Sequence, residues 1–261
     1  RGTKLLHFCN PHNPVGRCWT REELKAVARI CVTHDVVVCS DEVWGELPLE
    51  PSEHPFVSML SLLDASDVGV EAIAPPAGRD GGVPGLLQQL IVLTSPSKCF
   101  NVAPLDIAVA IVPSDSLRRR FRNSGKDSAE VGCFAYAAAI AAYADADSEA
   151  WRQRLVAYLT ANRDYAAATV RAMAPGLRCV TPEASYLMWI DATEALPPGT
   201  NAEQFFLTAG VGLTGGVAFG GAPGTVRLNF GCTRETLAKG LERMAEALAA
   251  VSMEPRGQGG K

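Results

Sequence analysis

Two rhythms of apolar and polar positions run along this chain. Up to about residue 112 the apolar residues gather in short β-branched runs closed by turn residues, the pattern of buried strands. These runs are Leu5–Cys9, Val36–Ser40, Leu90–Thr94 and Ile107–Val112. Between the first two, Leu24, Val27, Ala28, Ile30 and Cys31 recur at helical spacing behind Thr20-Arg21-Glu22-Glu23, a capping box with a hydroxyl at the N-cap and a carboxylate at N3. Strand, helix and strand within about 35 residues form a βαβ unit with a right-handed crossover. Residues 64–88 carry no period and are rich in Pro and Gly, which predicts a surface insertion.

From Ser114 the rhythm turns helical. Ser116–Arg122 is basic and amphipathic, and Cys133–Tyr143 is an alanine-rich helix expected to be buried. Ser148 is read as the cap of a long helix carrying Trp151, Leu155, Tyr158, Leu159, Asn162, Tyr165, Ala166 and Val170, stopped by Pro175-Gly176. Strands are expected at Cys179–Thr181, Ser185–Ile190 and Val226–Phe230. A loop with seven glycines, Gly210–Gly224, precedes the last of them, and a helix from Thr233 to about Val251 follows. The tail from Gly257 is expected to fray. This predicts an α/β portion over residues 1–150 and a smaller α+β portion over 151–261.

With 261 residues, 48 % hydrophobic and 20 % charged, the chain can bury a sizeable core. A net charge of −4 and the absence of any long basic run speak against a nucleic-acid face. No apolar stretch approaches the length of a membrane span, so no membrane partner is expected. The start at Arg1, without Met and running straight into a strand, leads us to expect a piece of something longer. The eight cysteines form no CxxC pair, so no metal site is expected. Several sit in apolar runs as reduced thiols, which fits a reducing, cytoplasmic compartment.

Candidate chemistry lies where the strands stop. Lys98 follows the run Leu90–Thr94 after Ser95-Pro96-Ser97, and Asp41 follows Val36–Ser40. In open α/β sheets ligands bind beyond the carboxyl ends of strands. A lysine there either lays its stem along apolar surface or, if its neutral form is favoured, becomes a nucleophile toward a carbonyl. A pyridine aldehyde needs a lysine for attachment, an anion beside the ring nitrogen and a donor for the ring hydroxyl oxygen. Lys98, Asp41 and Asn13 can supply these in turn. Taken singly, Asp41 also reads as a strand-end or N-cap carboxylate, Asn13 as an Asx-turn residue, and Arg227 as a charge on the rim of an edge strand.

Together, Asn13-Pro14-Val15-Gly16, Ser40-Asp41-Glu42-Val43-Trp44, Ser95-Pro96-Ser97-Lys98 and Val226-Arg227-Leu228-Asn229-Phe230 resemble the fold-type-I pyridoxal-phosphate enzymes of the class I/II aminotransferase superfamily. The run Cys9–Arg17 with Trp19 is similar to the cystathionine β-lyase branch of the MalY/PatB type. The resemblance implies a three-layer α/β sandwich with a mainly parallel sheet, part of a large domain, plus a small C-terminal domain. It implies pyridoxal 5′-phosphate as cofactor, attached to Lys98, which also shuttles the proton of the substrate α-carbon. Asp41 then pairs with the ring nitrogen, Asn13 with the ring hydroxyl oxygen, Ser95 and Ser97 with the phosphate, and Trp44 donates one bond to the cofactor. Arg227 grips the α-carboxylate of an amino-acid substrate.

Three departures qualify that pattern. Trp44 stands where relatives often carry Tyr or His. Asp106 stands eight residues after Lys98, where many relatives place a phosphate-binding Arg. The chain also begins where the large domain of the family is already half built, so weak cofactor binding by these residues alone is expected. The implied activity is a carbon–sulfur β-lyase acting on cystathionine or cysteine conjugates. The alternatives are an aminotransferase and a truncated, non-catalytic homologue; a homodimer is expected by analogy.

Overall fold

The computed structural model describes residues 2–63, 82–125 and 130–253. Most of the 64–88 insertion and the tail from Gly257 lie outside the described residues. The chain divides into two compact units, one of residues 1–12 and 17–155, the other of 13–16 and 156–261.

The first unit holds strands β1 (Leu5–Cys9), β2 (Val37–Asp41), β3 (Leu90–Thr94) and β4 (Val109–Ile111) in that spatial order. β1, β2 and β3 are parallel, and β4 closes the edge antiparallel to β3. Helix α1 (Arg21–Thr33) is the crossover from β1 to β2. Both halves of its capping box are present: Thr20 Oγ1 accepts from Glu23 N–H, and Thr20 N–H donates to Glu23 Oε2. A hydrogen bond from Arg17, with help from Thr20, holds the Glu23 carboxyl down at about 2.

Strand parity divides the core. Phe8, Val38, Leu90 and Val92 face a cluster that includes Leu24, Ala28 and Cys31 of α1. Cys39 and Ile91, of opposite parity, join Val112 and Leu117 of helix α2 (Asp115–Gly125). Side chains alternate across a strand, so the sheet carries a helix on each face, which is the three-layer sandwich. The end of the expected insertion departs from a plain surface loop. Val83 and Leu86 are buried in the α1 cluster, because Val83 N–H pairs with Leu62 O and draws the returning chain onto the core.

Helix α3 (Cys133–Ala144) is where the expected burial fails. Only Ala135 is buried, while Phe134 is 79 % and Ile140 65 % exposed. An apolar helix is buried only if something covers each of its faces, and among the described residues one face alone is covered. β4 departs likewise: all three of its residues are exposed.

Helix α4 (Ala146–Met173) starts earlier than the Ser148 cap suggests, with Asp147 N–H donating to Asp145 Oδ1. Its residues to Leu155 belong to the first unit and the rest to the second. In the second unit, β5 (Arg178–Cys179), β6 (Leu187–Asp191), helix α5 (Ala202–Thr208), β7 (Thr214–Gly215) and β8 (Thr225–Asn229) precede helix α6 (Arg234–Met253). The sheet is antiparallel throughout, in the order β5-β6-β8-β7. The glycine-rich stretch therefore contains a short strand paired with β8. Leu237, Leu241, Met244 and Leu248 form the buried stripe of α6.

Candidate active site

Two adjacent parallel strands bring the first pair of candidate residues together. Asp41 is the last residue of β2 and registers with Leu93 of β3. Lys98 lies four residues beyond the end of β3, after the turn that Ser95 and Pro96 begin. Asp41, Ser95, Ser97 and Lys98 line one cleft of about 350 Å³, with Val43, Leu93 and Asp106 among its other walls. The cleft opens at the carboxyl ends of β2 and β3, the position ligands take in parallel sheets.

The turn bearing Lys98 is held by its own hydrogen bonds. Ser95 Oγ donates to Ile107 O at 2.6 Å and accepts from Ser97 N–H at 3.1 Å. Phe100 N–H donates to Pro96 O at 2.9 Å, and the Phe100 ring stacks on Trp151 of α4 at a centroid distance of 5.7 Å. Asp41 Oδ1 accepts from Val43 N–H at 3.2 Å, which turns the chain away from β2. Trp44 is buried and does not line the cleft; its ring centroid lies 5.9 Å from Lys98 Nζ, within cation–π range.

Behind this turn sits a group of titratable side chains that the strand-end reading missed. Burial raises the carboxyl of Glu46, which hydrogen-bonds Tyr143 and Cys99. Burial, then Glu46, push the Cys99 thiol up to about 12. Arg152 of α4 donates to Glu46 O at 2.9 Å and also binds Glu149. Burial likewise raises Glu42, whose Oε1 accepts from Ser40 Oγ at 3.0 Å and Met59 N–H at 2.8 Å. Strand periodicity singles out none of them: Glu42 directly follows Asp41, and the others lie beyond the strand ends.

The other two candidates belong to the second unit and meet each other there. Arg227 Nη1 donates to Asn13 Oδ1 at 2.7 Å, and Nη2 donates to Thr214 Oγ1 at 3.4 Å. The guanidinium lies 4.6 Å from the centroid of the Phe219 ring. Gly16 O fastens the Asn13 loop by accepting from Glu183 N–H and Ala184 N–H, both at 2.9 Å. At φ 71°, a Cβ on Gly16 would come within 2.4 Å of Pro182 Cβ, so glycine is required for this approach. Past β8, the buried Asn162 accepts from Arg234 Nε and donates to Phe230 O and Cys232 O. Burial lowers the Arg227 guanidinium from its usual range. Among the described residues no carboxylate pairs with it, and its named partners are an amide oxygen, a hydroxyl and a ring face. A half-buried cation so placed is a seat for an anion.

Comparison with known proteins decides the family. Residues 1–244 match the description "Aminotransferase class I and II". The chain belongs to that family. Among its relatives, cystathionine β-lyase PatB of Bacillus subtilis is 33 % identical over 248 residues, covering 94 % of this chain and 58 % of PatB. The solved structure of OvoB superposes with a TM-score of 0.81 at 39 % identity, covering 95 % of this chain and 58 % of that one. Cystalysin of Treponema denticola, whose structure contains a pyridoxal 5′-phosphate cofactor, gives a TM-score of 0.81 at 25 % identity, with the same shares of 95 % and 58 %. The chain thus spans under three fifths of the length of these class I and II relatives. The fold is that of the aminotransferases, as the strand pattern and motifs had led us to expect. No helix among the described residues is long and apolar enough to cross a membrane.

Proposed function

We propose that this chain carries the lysine-bearing part of a pyridoxal-phosphate-dependent carbon–sulfur β-lyase acting on cystathionine or cysteine conjugates. The observation that carries the reading is the cleft shared by Lys98 and Asp41 at the ends of two parallel strands. Similarity to cystathionine β-lyase PatB supports the choice of reaction, and similarity to cystalysin supports the cofactor.

The ring end of the cofactor fits this cleft, because an amine for an aldehyde and a carboxylate for a protonated ring nitrogen line the same space. The phosphate end fits less well: the Ser95 proton is committed to Ile107 O, and Asp106 adds a negative charge. When bound, the cofactor supplies an electron sink that makes the C–H bond beside a substrate amine acidic. The Lys98 amine then takes that proton as general base and returns it as general acid. Asp41 keeps a proton on the ring nitrogen. To Arg227 the family resemblance gives the substrate α-carboxylate. To Asn13 it gives the ring hydroxyl oxygen; with Oδ1 accepting from Arg227, the amide N–H groups are the donors for that role. Trp44 borders Lys98, and Ser97 is left as the serine for the phosphate. A homodimer in the cytoplasm completes the proposal, and eight cysteines with no disulfide among them are consistent with that compartment.

The family match also favours a second reading, an aminotransferase. The purified protein is incubated with L-cystathionine and the cofactor. Pyruvate released without any keto acid supports the lyase, whereas turnover that requires 2-oxoglutarate supports transamination. Lys98→Ala abolishes either activity. A folded protein whose Lys98 takes up the cofactor, read as a borohydride-stable adduct, and which is still inactive in both assays rejects both readings in favour of a non-catalytic homologue.

A further inference from the structure

The cleft that holds Lys98 has an unusual balance of charge for an anion-bearing ligand. Its lining includes one cation, Lys98, and two carboxylates, Asp41 from the end of β2 and Asp106 from the segment after Lys98. Among the described residues neither arginine nor a second lysine lines it. Two groups that would otherwise meet an oxyanion are turned inward: the Ser95 hydroxyl donates to Ile107 O, and the Ser97 N–H donates to Ser95 Oγ.

The backbone holds Asp106 in this place. It ends the short 3₁₀ turn Ala103–Leu105 in the left-handed region, at φ 56° and ψ 52°, with its N–H donated to Ala103 O at 3.1 Å. Asp and Asn enter that region more readily than most residues. The side chain is therefore delivered to the cleft by a turn that asparagine also accepts, and its charge can be removed without disturbing the turn.

We propose that Asp106 is a specificity-determining residue that sets the Lys98 cleft against ligands bearing a phosphate dianion, relative to the same ligands bearing a neutral hydroxyl. The proposal rests on the cofactor reading above and adds a selectivity to it. A phosphate monoester carries about −1.5 to −2 charges at neutral pH. Its repulsion by Asp106 is partly screened because the carboxylate is exposed.

The test compares pyridoxal 5′-phosphate with pyridoxal, which share the ring and the aldehyde and differ in the phosphate. Each is titrated into the parent protein, Asp106→Asn, Asp106→Gly and Lys98→Ala. Attachment joins Lys98 Nζ to the aldehyde carbon with loss of water. Borohydride then adds hydride to that carbon and a proton settles on nitrogen, so occupancy is read as added mass on the Lys98 peptide. Asp106→Asn is expected to lower the half-saturating concentration of the phosphate ester about tenfold at low salt and to leave that of pyridoxal within about twofold. High salt should shrink the difference. Asp106→Gly, which also accepts a left-handed backbone, should behave alike and stands in if the asparagine variant misfolds.

An equal shift for both aldehydes, or no shift for either, overturns the role of Asp106 while leaving the cofactor reading intact. Failure of both aldehydes to label Lys98 in the folded parent and variants overturns the cofactor reading itself, and this inference with it.

Discussion

Arg227 owes its value to what surrounds it. A guanidinium on the surface is solvated and carries little information, but this one is half-buried among neutral groups and bonded to Asn13 across 214 residues of sequence. Desolvation without a counter-ion costs free energy, and that cost is repaid when a carboxylate arrives, most fully through the two parallel N–H groups that lysine lacks. Arg227→Lys should therefore keep the charge, lose one of the paired hydrogen bonds and loosen Asn13. We expect KM for the amino-acid substrate to rise about tenfold or more, with a smaller change in kcat, as measured by initial rates over a range of substrate concentration. Equal kinetics for the two proteins would remove Arg227 from the site.

At the scale of elements, the strands were legible because their alternation has only two faces to choose from. Val38 and Cys39 go to opposite sides of the sheet, and the sequence shows both as apolar, so a strand covered on both faces was the natural reading. Asp41 and Lys98 were legible for the same reason, being the first charged residues past two such runs. α3 was not, since a helix apolar on every side offers no polar face from which to infer its cover. Its exposure predicts that Phe134→Ser and Ile140→Ser change stability by less than about 0.5 kcal/mol. Leu24→Ala, in the buried face of α1, should cost about 2–5 kcal/mol. Urea unfolding of the three variants checks the contrast; a large loss for the α3 variants would mean that this helix is covered in solution. α5 escaped notice because seven residues make too short a period, and its Asn201 cap, which accepts from Gln204 N–H, lies in a turn-rich stretch. The commitment of the Ser95 proton to Ile107 O was likewise out of reach, since both a free and a committed hydroxyl are written as the same serine.

For the whole molecule, the cysteines report folding without any added probe. None of the eight is in a disulfide, and they span the range of exposure: Cys133 exposed, Cys9, Cys179 and Cys232 intermediate, Cys18, Cys31, Cys39 and Cys99 buried. Only the thiolate reacts with a disulfide reagent, so burial acts twice, by blocking access and by raising the thiol. Burial raises Cys31 and Cys39 alike, and pushes Cys99 up to about 12, where Glu46 adds to the effect. At pH 8 the native protein should therefore show one fast thiol, three slower ones and four that stay silent until unfolding. In strong denaturant all eight should react together. Raising the pH from 8 to 9 should speed the intermediate group while leaving Cys99 silent, because its thiolate remains scarce below a pKa of about 12. The pattern is read by mass spectrometry of labelled peptides over time. Rapid native labelling of Cys99, next to Lys98 and 2 % exposed, would show that the turn carrying the lysine opens freely, and a cleft on so loose a turn could not hold an amine in place for chemistry.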